Sequence, residues 1–506
     1  MHQNLPLIED KEEVCYVNEE NEEEKSENLL LISASDLVID IKNGKLKCVD
    51  LITAYIARIK AVNPILNAVI DERFNEALTE AKHVDELVQK LEGDALWNQF
   101  PLLGVPVSVK EPIGVKGLSH TAGDYHRSGV KASEDATVIK FLKEAGAIIL
   151  CVTNVPEWSM GWETQNPVYG RTLNPYNNHR TTGGSSGGEA ALIASAGSVV
   201  GVGSDMAGSI RICSSFNGIF GHKPTPNLIP MNGWHPMVID EYFHHIHTFG
   251  PISRYARDLP LLMKVMSGQK SVHLRLDETV DVSKLKIFYI EEFGPSFGIT
   301  PVQSYIKLAV LKASEYLHAF GCKVKNIHPK NLRLAFEFCS SKEFYLQGVP
   351  EFLAKTENSL KAKNITWEWI KCIFHQSKHS YSGLSFYLLY KMKNWLLPET
   401  KIEFYDNKIR ELENYFNTIL KDNAVLVLPT FPTHAFYHYL LPSHLSGVMY
   451  TTIFNVLGFP ATSVPIMQRN GMPVSVQIVA GPFQDRLCFA VARQLEVAFG
   501  GWKAPA

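Results

Sequence analysis

Between Thr181 and Arg211 the chain reads TTGGSSGGEAALIASAGSVVGVGSDMAGSIR, and glycine-flanked serines occur twice within it. Gly183, Gly184, Gly187 and Gly188 surround Ser185 and Ser186, while Gly203 and Gly208 frame Ser204, Asp205 and Ser209. A serine hydroxyl is a weak nucleophile until a neighbouring base takes its proton, and the oxyanion formed on attack needs donors in fixed positions. Glycines let the backbone turn its N–H groups inward at such a centre, and Ala207-Gly208-Ser209 can present consecutive amides. The base need not be a histidine. Lys110 closes the apolar, β-branched run PLLGVPVSVK, which reads as a buried strand. Desolvation lowers a lysine's proton affinity, so its neutral amine can serve as a general base.

Other readings of the same residues are weighed on what they would require. A flexible Gly/Ser linker would not contain the apolar, helix-like AALIASAG between the two clusters. A phosphate-binding loop would continue into Gly-Lys-Ser/Thr, which neither cluster does. Gly183, Ser185 and Gly187 satisfy G-x-S-x-G by spacing, but a hydrolase of that kind also needs an acid and then a histidine downstream, which 18 scattered histidines neither supply nor exclude.

The segment GGSSGGEAALIASAGSVVGVGSDMAGSIR resembles the defining signature of the amidase signature family of serine hydrolases. The resemblance continues through GVPVSVKE, NGIFGHKPT at 217–225, GPISRYARDL at 250–259, VLGFPATSVPI and GMPVSVQIVAGP, and so covers roughly residues 32–503. Within the family the chain is similar to fatty-acid amide hydrolases of the second type, through LNAVIDERF, YGRTLNPYN, FNGIFGHKPT and the closing AVARQLEVAFGGW. The resemblance implies an α/β fold: one large domain with a mixed central β-sheet covered by helices on both faces. It implies a Ser-Ser-Lys triad in which Ser209 attacks, Ser185 bridges from behind a cis peptide bond after Gly184, and Lys110 is the base. It places the oxyanion hole on the backbone N–H groups of Met206, Ala207, Gly208 and Ser209. Ser186, Asp205 and Arg211 fall at positions that brace the glycine loops.

The implied reaction is hydrolysis of linear amides to carboxylic acid and amine through an acyl-enzyme, with no metal and no cofactor. Fatty-acid amides are the favoured substrates, and a short-chain or aryl amidase is the alternative. A lipid-binding relative of weakened activity is a further reading, motivated by Ala207 where the family usually has glycine. An amidotransferase glutaminase subunit fits the acidic tail and the aromatic 367–397 segment less well. Cys213 and Ser475 are further departures, and Cys213 is expected to pack as a small apolar residue. Glu111 neighbours the base in sequence, but strand geometry sends it to the opposite face, so it is left out of the site.

Composition sets the outer bounds. A 506-residue chain that is 45% apolar can bury a large core, and a net charge of −3 gives no case for nucleic-acid binding. Eight dispersed cysteines without a C-x-x-C pair suit a reducing compartment. The run EENEEEKSE makes residues 1–28 an expected disordered acidic tail ahead of a domain over 29–506. The start lacks a basic region followed by an apolar one, and no 18-residue apolar run occurs, so neither a signal peptide nor a membrane span is expected. The location that follows is intracellular, cytoplasmic or peripherally membrane-associated. The partner is a small-molecule amide, and a homodimer is left open.

The elements that would hold the site can also be read. Helical spacing runs from Ser33 or Ser35, as N-cap, to a stop at Asn63-Pro64. AIILCV, VSKLKIFYI, VLVLPTFP and SVQIVAG read as core strands. WEWIKCIFHQSKHSYSGLSFYLLYKMKNWLL, at 367–397, interleaves aromatics with lysines, and reads as an ordinary core helix pair or as a patch lying on a membrane. His244, His245 and His247 are expected in a loop rather than at a metal.

Overall fold

Ser33 opens the helix Ala34–Lys42 as its sequence promises: its Oγ accepts the Asp36 amide at 3.2 Å. The computed structural model describes residues 28–90, 99–296, 298–354, 362–374, 376–421 and 423–505, so the expected acidic tail lies outside the described residues except for Asn28. The single helix expected over residues 33–64 is instead two, α1 (Ala34–Lys42) and α2 (Cys48–Leu66), broken at Asn43 and at Gly44, whose φ is +69°. The stop also falls later than expected. Pro64 lies inside the last turn of α2, where it forfeits one amide bond but keeps a helical φ, and the chain leaves the helix at Asn67 with φ 50°. The Asn63 side chain completes that exit by accepting the Ala68 and Val69 amides, each at 2.8 Å.

Among the described residues, eleven strands form one mixed sheet. They are β1 (Val69–Glu72), β2 (Pro106–Lys110), β3 (Ile148–Thr153), β4 (Val200–Asp205), β5 (Phe220–Lys223), β6 (Thr248–Ser253), β7 (Lys286–Tyr289), β8 (Lys323–Asn326), β9 (Ala424–Pro429), β10 (Ala461–Arg469) and β11 (Met472–Ala480). Their order across the sheet is β1-β3-β2-β4-β6-β5-β10-β11-β9-β7-β8. Parallel pairing joins β3, β2 and β4 on one side and β9, β7 and β8 on the other, with antiparallel pairs between. Every residue of β2, β3, β4, β6, β9 and β11 is buried, which requires cover on both faces of the sheet. The four apolar runs read as strands therefore lie in β3, β7, β9 and β11.

Three helices matter to the site. α3 (Gly187–Ala194), buried in every residue, is the apolar segment between the serine clusters, and α4 (Arg211–Phe216) follows the second cluster. α7 (Met449–Val456) reaches the same region from far along the chain. The aromatic segment forms α5 (Ile365–Ile373) and α6 (Tyr381–Lys391); Leu384 and Tyr387 of α6 cluster with Phe352 and Leu353, and Ile365, Trp369 and Cys372 of α5 pack against that cluster. No described helix is long and apolar enough to cross a membrane.

Candidate active site

Lys110 ends β2 with no solvent exposure, and its Nζ donates to Ser185 Oγ at 2.7 Å and to Ser204 Oγ at 2.8 Å. The Trp234 ring lies 5.6 Å from the same nitrogen. Burial pushes the ammonium's pKa down to about 7, against weaker upward pulls from Cys213, Asp205 and Glu189. The amine is therefore poised to lose its proton near neutrality. The peptide bond between Gly184 and Ser185 is cis, as the family likeness implies.

Ser209, about 9% exposed, sits in the turn between β4 and α4. Its carbonyl accepts the Ser186 amide at 3.3 Å, and Ser186 Oγ donates to the Ser204 carbonyl at 3.3 Å. Two hydrogen bonds thus tie the serine clusters to one another across α3. Asp205 holds the second cluster from below. Its carboxylate faces Arg211 at 3.0 Å, both side chains are fully buried, and Arg211 Nε donates at 3.1 Å. Burial alone would raise the Asp205 carboxyl, but the Arg211 guanidinium and the Asn455 amide hold it well below the usual carboxylate range. Arg211 Nη1 goes on to the Thr451 carbonyl and Gln477 Oε1, each at 3.0 Å, so the brace anchors the turn to α7 and β11.

The four expected oxyanion amides are not equivalent. The Gly208 amide donates to Asp205 Oδ1 at 2.7 Å, whereas those of Met206, Ala207 and Ser209 have no acceptor among the described residues. Thr451 Oγ1 and Thr452 Oγ1 donate to the Ala207 carbonyl at 2.9 and 3.2 Å, so the peptide joining Ala207 to Gly208 is held at both ends. Ala207 does not adopt a positive φ, so its Cβ brings no backbone strain. Gly208, at φ +111°, is the position that requires glycine, and a Cβ there would also strike Thr451.

The remaining expectations separate cleanly. Glu111 is buried away from Lys110 and accepts the Thr121 hydroxyl and the Ala122 amide, each at 2.7 Å. Cys213 is fully buried among Ala190, Ile193, Ile210 and Ile252, and burial pushes its thiol up to about 12. Ser475 is buried with its hydroxyl on the Ser215 carbonyl at 3.4 Å. His244 and His245 lie in a short helix, Glu241–Ile246, rather than in the expected loop. The Asp240 carboxylate caps that helix by accepting the Tyr242 amide at 2.8 Å, a start signal visible in the sequence. His247 follows it, packed on Trp234 with ring centres 4.5 Å apart, and burial holds it neutral with a pKa of about 3.

Several contacts escape reading along the chain. Ser204 as a second partner of Lys110, and Thr451, Thr452, Asn455 and Gln477 behind the turn, are brought in only by the fold. Ser204 lies in the second serine cluster and Gln477 in the shared block GMPVSVQIVAGP, whereas Thr451, Thr452 and Asn455 fall just ahead of VLGFPATSVPI. Met206 also packs against an apolar cluster of Val238, Phe243, Ile246 and Leu346, which walls the site beside the free amides.

Comparison with known proteins gives the family. The family model described as Amidase matches residues 50–489. The chain is 38% identical to fatty-acid amide hydrolase 2 of Homo sapiens, over 95% of this chain and 91% of that one. It is 37% identical to fatty-acid amide hydrolase 2-B of Danio rerio, over 94% and 91%. The solved structure of 6-aminohexanoate cyclic dimer hydrolase with its substrate shares the fold, with a TM-score of 0.74, 24% identity and coverage of 94% and 99%.

Proposed function

The chain belongs to the amidase signature family and hydrolyses the carbon–nitrogen bonds of amides, and from that premise we propose that its substrates are fatty-acid amides. Lys110, as free amine, draws a proton from Ser209 through Ser185 while Ser209 Oγ bonds to the amide carbonyl carbon. The developing oxyanion takes hydrogen bonds from the Met206, Ala207 and Ser209 amides, and Gly208 holds the turn through Asp205. Lys110 then returns the proton through Ser185 to the leaving nitrogen, so the C–N bond breaks to release a neutral amine. Water, deprotonated by the same relay, frees the carboxylic acid.

The observation that carries this reading is the 2.7 Å contact between a buried lysine and Ser185 in the loop tied to Ser209. The lipid half rests on the similarity to fatty-acid amide hydrolases and on the apolar wall beside Met206. We also propose that α5 and α6 rest on a membrane surface, because Trp367, Ile373, Phe374 and Trp395 are more than half exposed there, beside the exposed Lys378 and Lys391. The deciding experiment measures fatty-acid release from oleamide and from an N-acylethanolamine by the protein and by Ser209→Ala and Lys110→Ala. Turnover lost in both variants upholds the reading. Ser209-dependent cleavage of a small amide alone would keep the mechanism and discard the lipid assignment.

A further inference from the structure

Glu189 stands in the first turn of α3, a helix without a single exposed residue. A carboxylate so placed needs partners, and it has two. Ser108 Oγ donates to its Oε1, and Thr153 Oγ1 donates to its Oε2 at 2.7 Å. Ser108 precedes Lys110 by two residues on β2, so both side chains leave the same face of the sheet. Thr153 is the direct neighbour of Lys110 across the parallel β2–β3 pair. Gly201, opposite Ser108 on β4, completes the slot, since a Cβ there would run into Glu189 Oε1. The carboxylate is therefore seated on the two side chains that flank Lys110, one along its own strand and one on the next. The reaction as described uses none of these residues.

We propose that Glu189 is a positioning residue for Lys110: held by the Ser108 and Thr153 hydroxyls, it fixes the lysine's strand end beneath Ser185 and governs how readily the amine releases its proton. The inference rests on the assignment of Lys110 as the base. Other ionisable groups face Lys110 from α4, β4 and the segment before β6, namely Cys213, Asp205 and His247. Cys213 stays protonated, His247 stays neutral, and Arg211 offsets Asp205. Facing Glu189 itself are Lys110 and the buried thiol of Cys151, which also stays protonated. Burial pushes the Glu189 carboxyl up to about 7, opposed by its two hydroxyl bonds and by Lys110. It is thus the neighbour whose charge still changes near neutrality, and its titration is linked to that of the lysine.

The sign of the effect follows. A neighbour that is either neutral or negative can only raise the proton affinity of an amine, so removing it frees the amine at lower pH. Glu189→Gln keeps the shape and an acceptor for the hydroxyls but carries no charge. The test records, against pH, the rate of Ser209 labelling by a fluorophosphonate together with amide kcat and KM. The expected result is an acid limb moved down by about one pH unit, with KM unchanged. A profile that superimposes on that of the unaltered protein overturns the inference and leaves Glu189 a packing residue. Should Glu189→Gln fail to fold, Thr153→Val removes one of the hydroxyls that favour the ionised carboxylate. A smaller displacement in the same sense then supports the inference, and none overturns it. Lys110→Ala run in parallel separates the two layers. If it keeps the full labelling rate, the base assignment falls and takes this inference with it; if it loses labelling while Glu189→Gln leaves the profile unmoved, only the inference falls.

Discussion

Ala207 and Gly208 stand side by side in the turn that carries Ser209, yet they tolerate change very differently. Gly208 has φ +111° and no room for a Cβ against Thr451, whereas Ala207 occupies an ordinary backbone region. Gly208→Ala is expected to displace the free amides on either side of it and lower kcat by about 10²-fold, the usual cost of one lost oxyanion donor. Ala207→Gly is expected to leave kcat within about twofold, because it removes no donor and relieves no strain. Steady-state kinetics of the two variants tests the contrast, and equal losses would refute it. The same scale gives the pH dependence. Lys110 titrates near 7 because burial disfavours its ammonium form, so the rate is expected to fall through pH 7 by about tenfold per unit on the acid side. A limb centred near the ordinary lysine value would show that the amine is charged in the resting site.

Among the elements, α5 and α6 combine a buried face with an unburied one. Their inner side packs on Phe352 and Leu353, while Trp367 is 57% exposed and Trp395, just beyond α6, is 76% exposed. Trp367→Ser with Trp395→Ser is expected to weaken sedimentation with anionic lipid vesicles by about tenfold or more while leaving cleavage of a soluble amide unchanged. Equal sedimentation would remove the membrane from the account. The sequence states one half of this arrangement and conceals the other. Alternating aromatics and lysines mark an amphipathic pair, but which aromatics face the core depends on where α5 and α6 dock. Strands β3, β9 and β11 were legible because buried strands are continuous runs of apolar, often β-branched residues. The break between α1 and α2 was not, because apolar residues keep helical spacing on both sides of Asn43–Lys47 and mask the turn that Asn43-Gly44 marks. In the candidate site, Lys110, Ser185 and Ser209 could be singled out because each falls in a short, distinctive sequence block. Ser204's hold on Lys110 is a tertiary contact between residues 94 positions apart, which no local pattern records.

For the molecule as a whole, the Asp205–Arg211 pair does more than steady a turn. Through Thr451, Asn455 and Gln477 it joins the second serine cluster to segments more than 200 residues later, inside the core. Asp205→Ala leaves the Arg211 charge buried and unpaired, and is expected to cost about 3–5 kcal/mol of stability, visible in chemical denaturation. The loss should be felt by the whole sheet and not by the turn alone, so tryptophan fluorescence and circular dichroism are expected to report one shared, earlier midpoint. The paired carboxylate has its proton affinity depressed by folding. Its contribution is therefore complete above the ordinary carboxylate range and is lost as pH falls below it. The two ends of the eleven-stranded sheet bear on a different matter, the company the protein keeps. One end is β1, four residues long with an irregular register against β3, and the other is β8, also four residues long, which exposes Lys323 and Lys325 on one face. Short or bulged borders and rows of lysine discourage a further strand from adding to a sheet. Both margins of the sheet thus disfavour the addition of a strand from another copy of this chain.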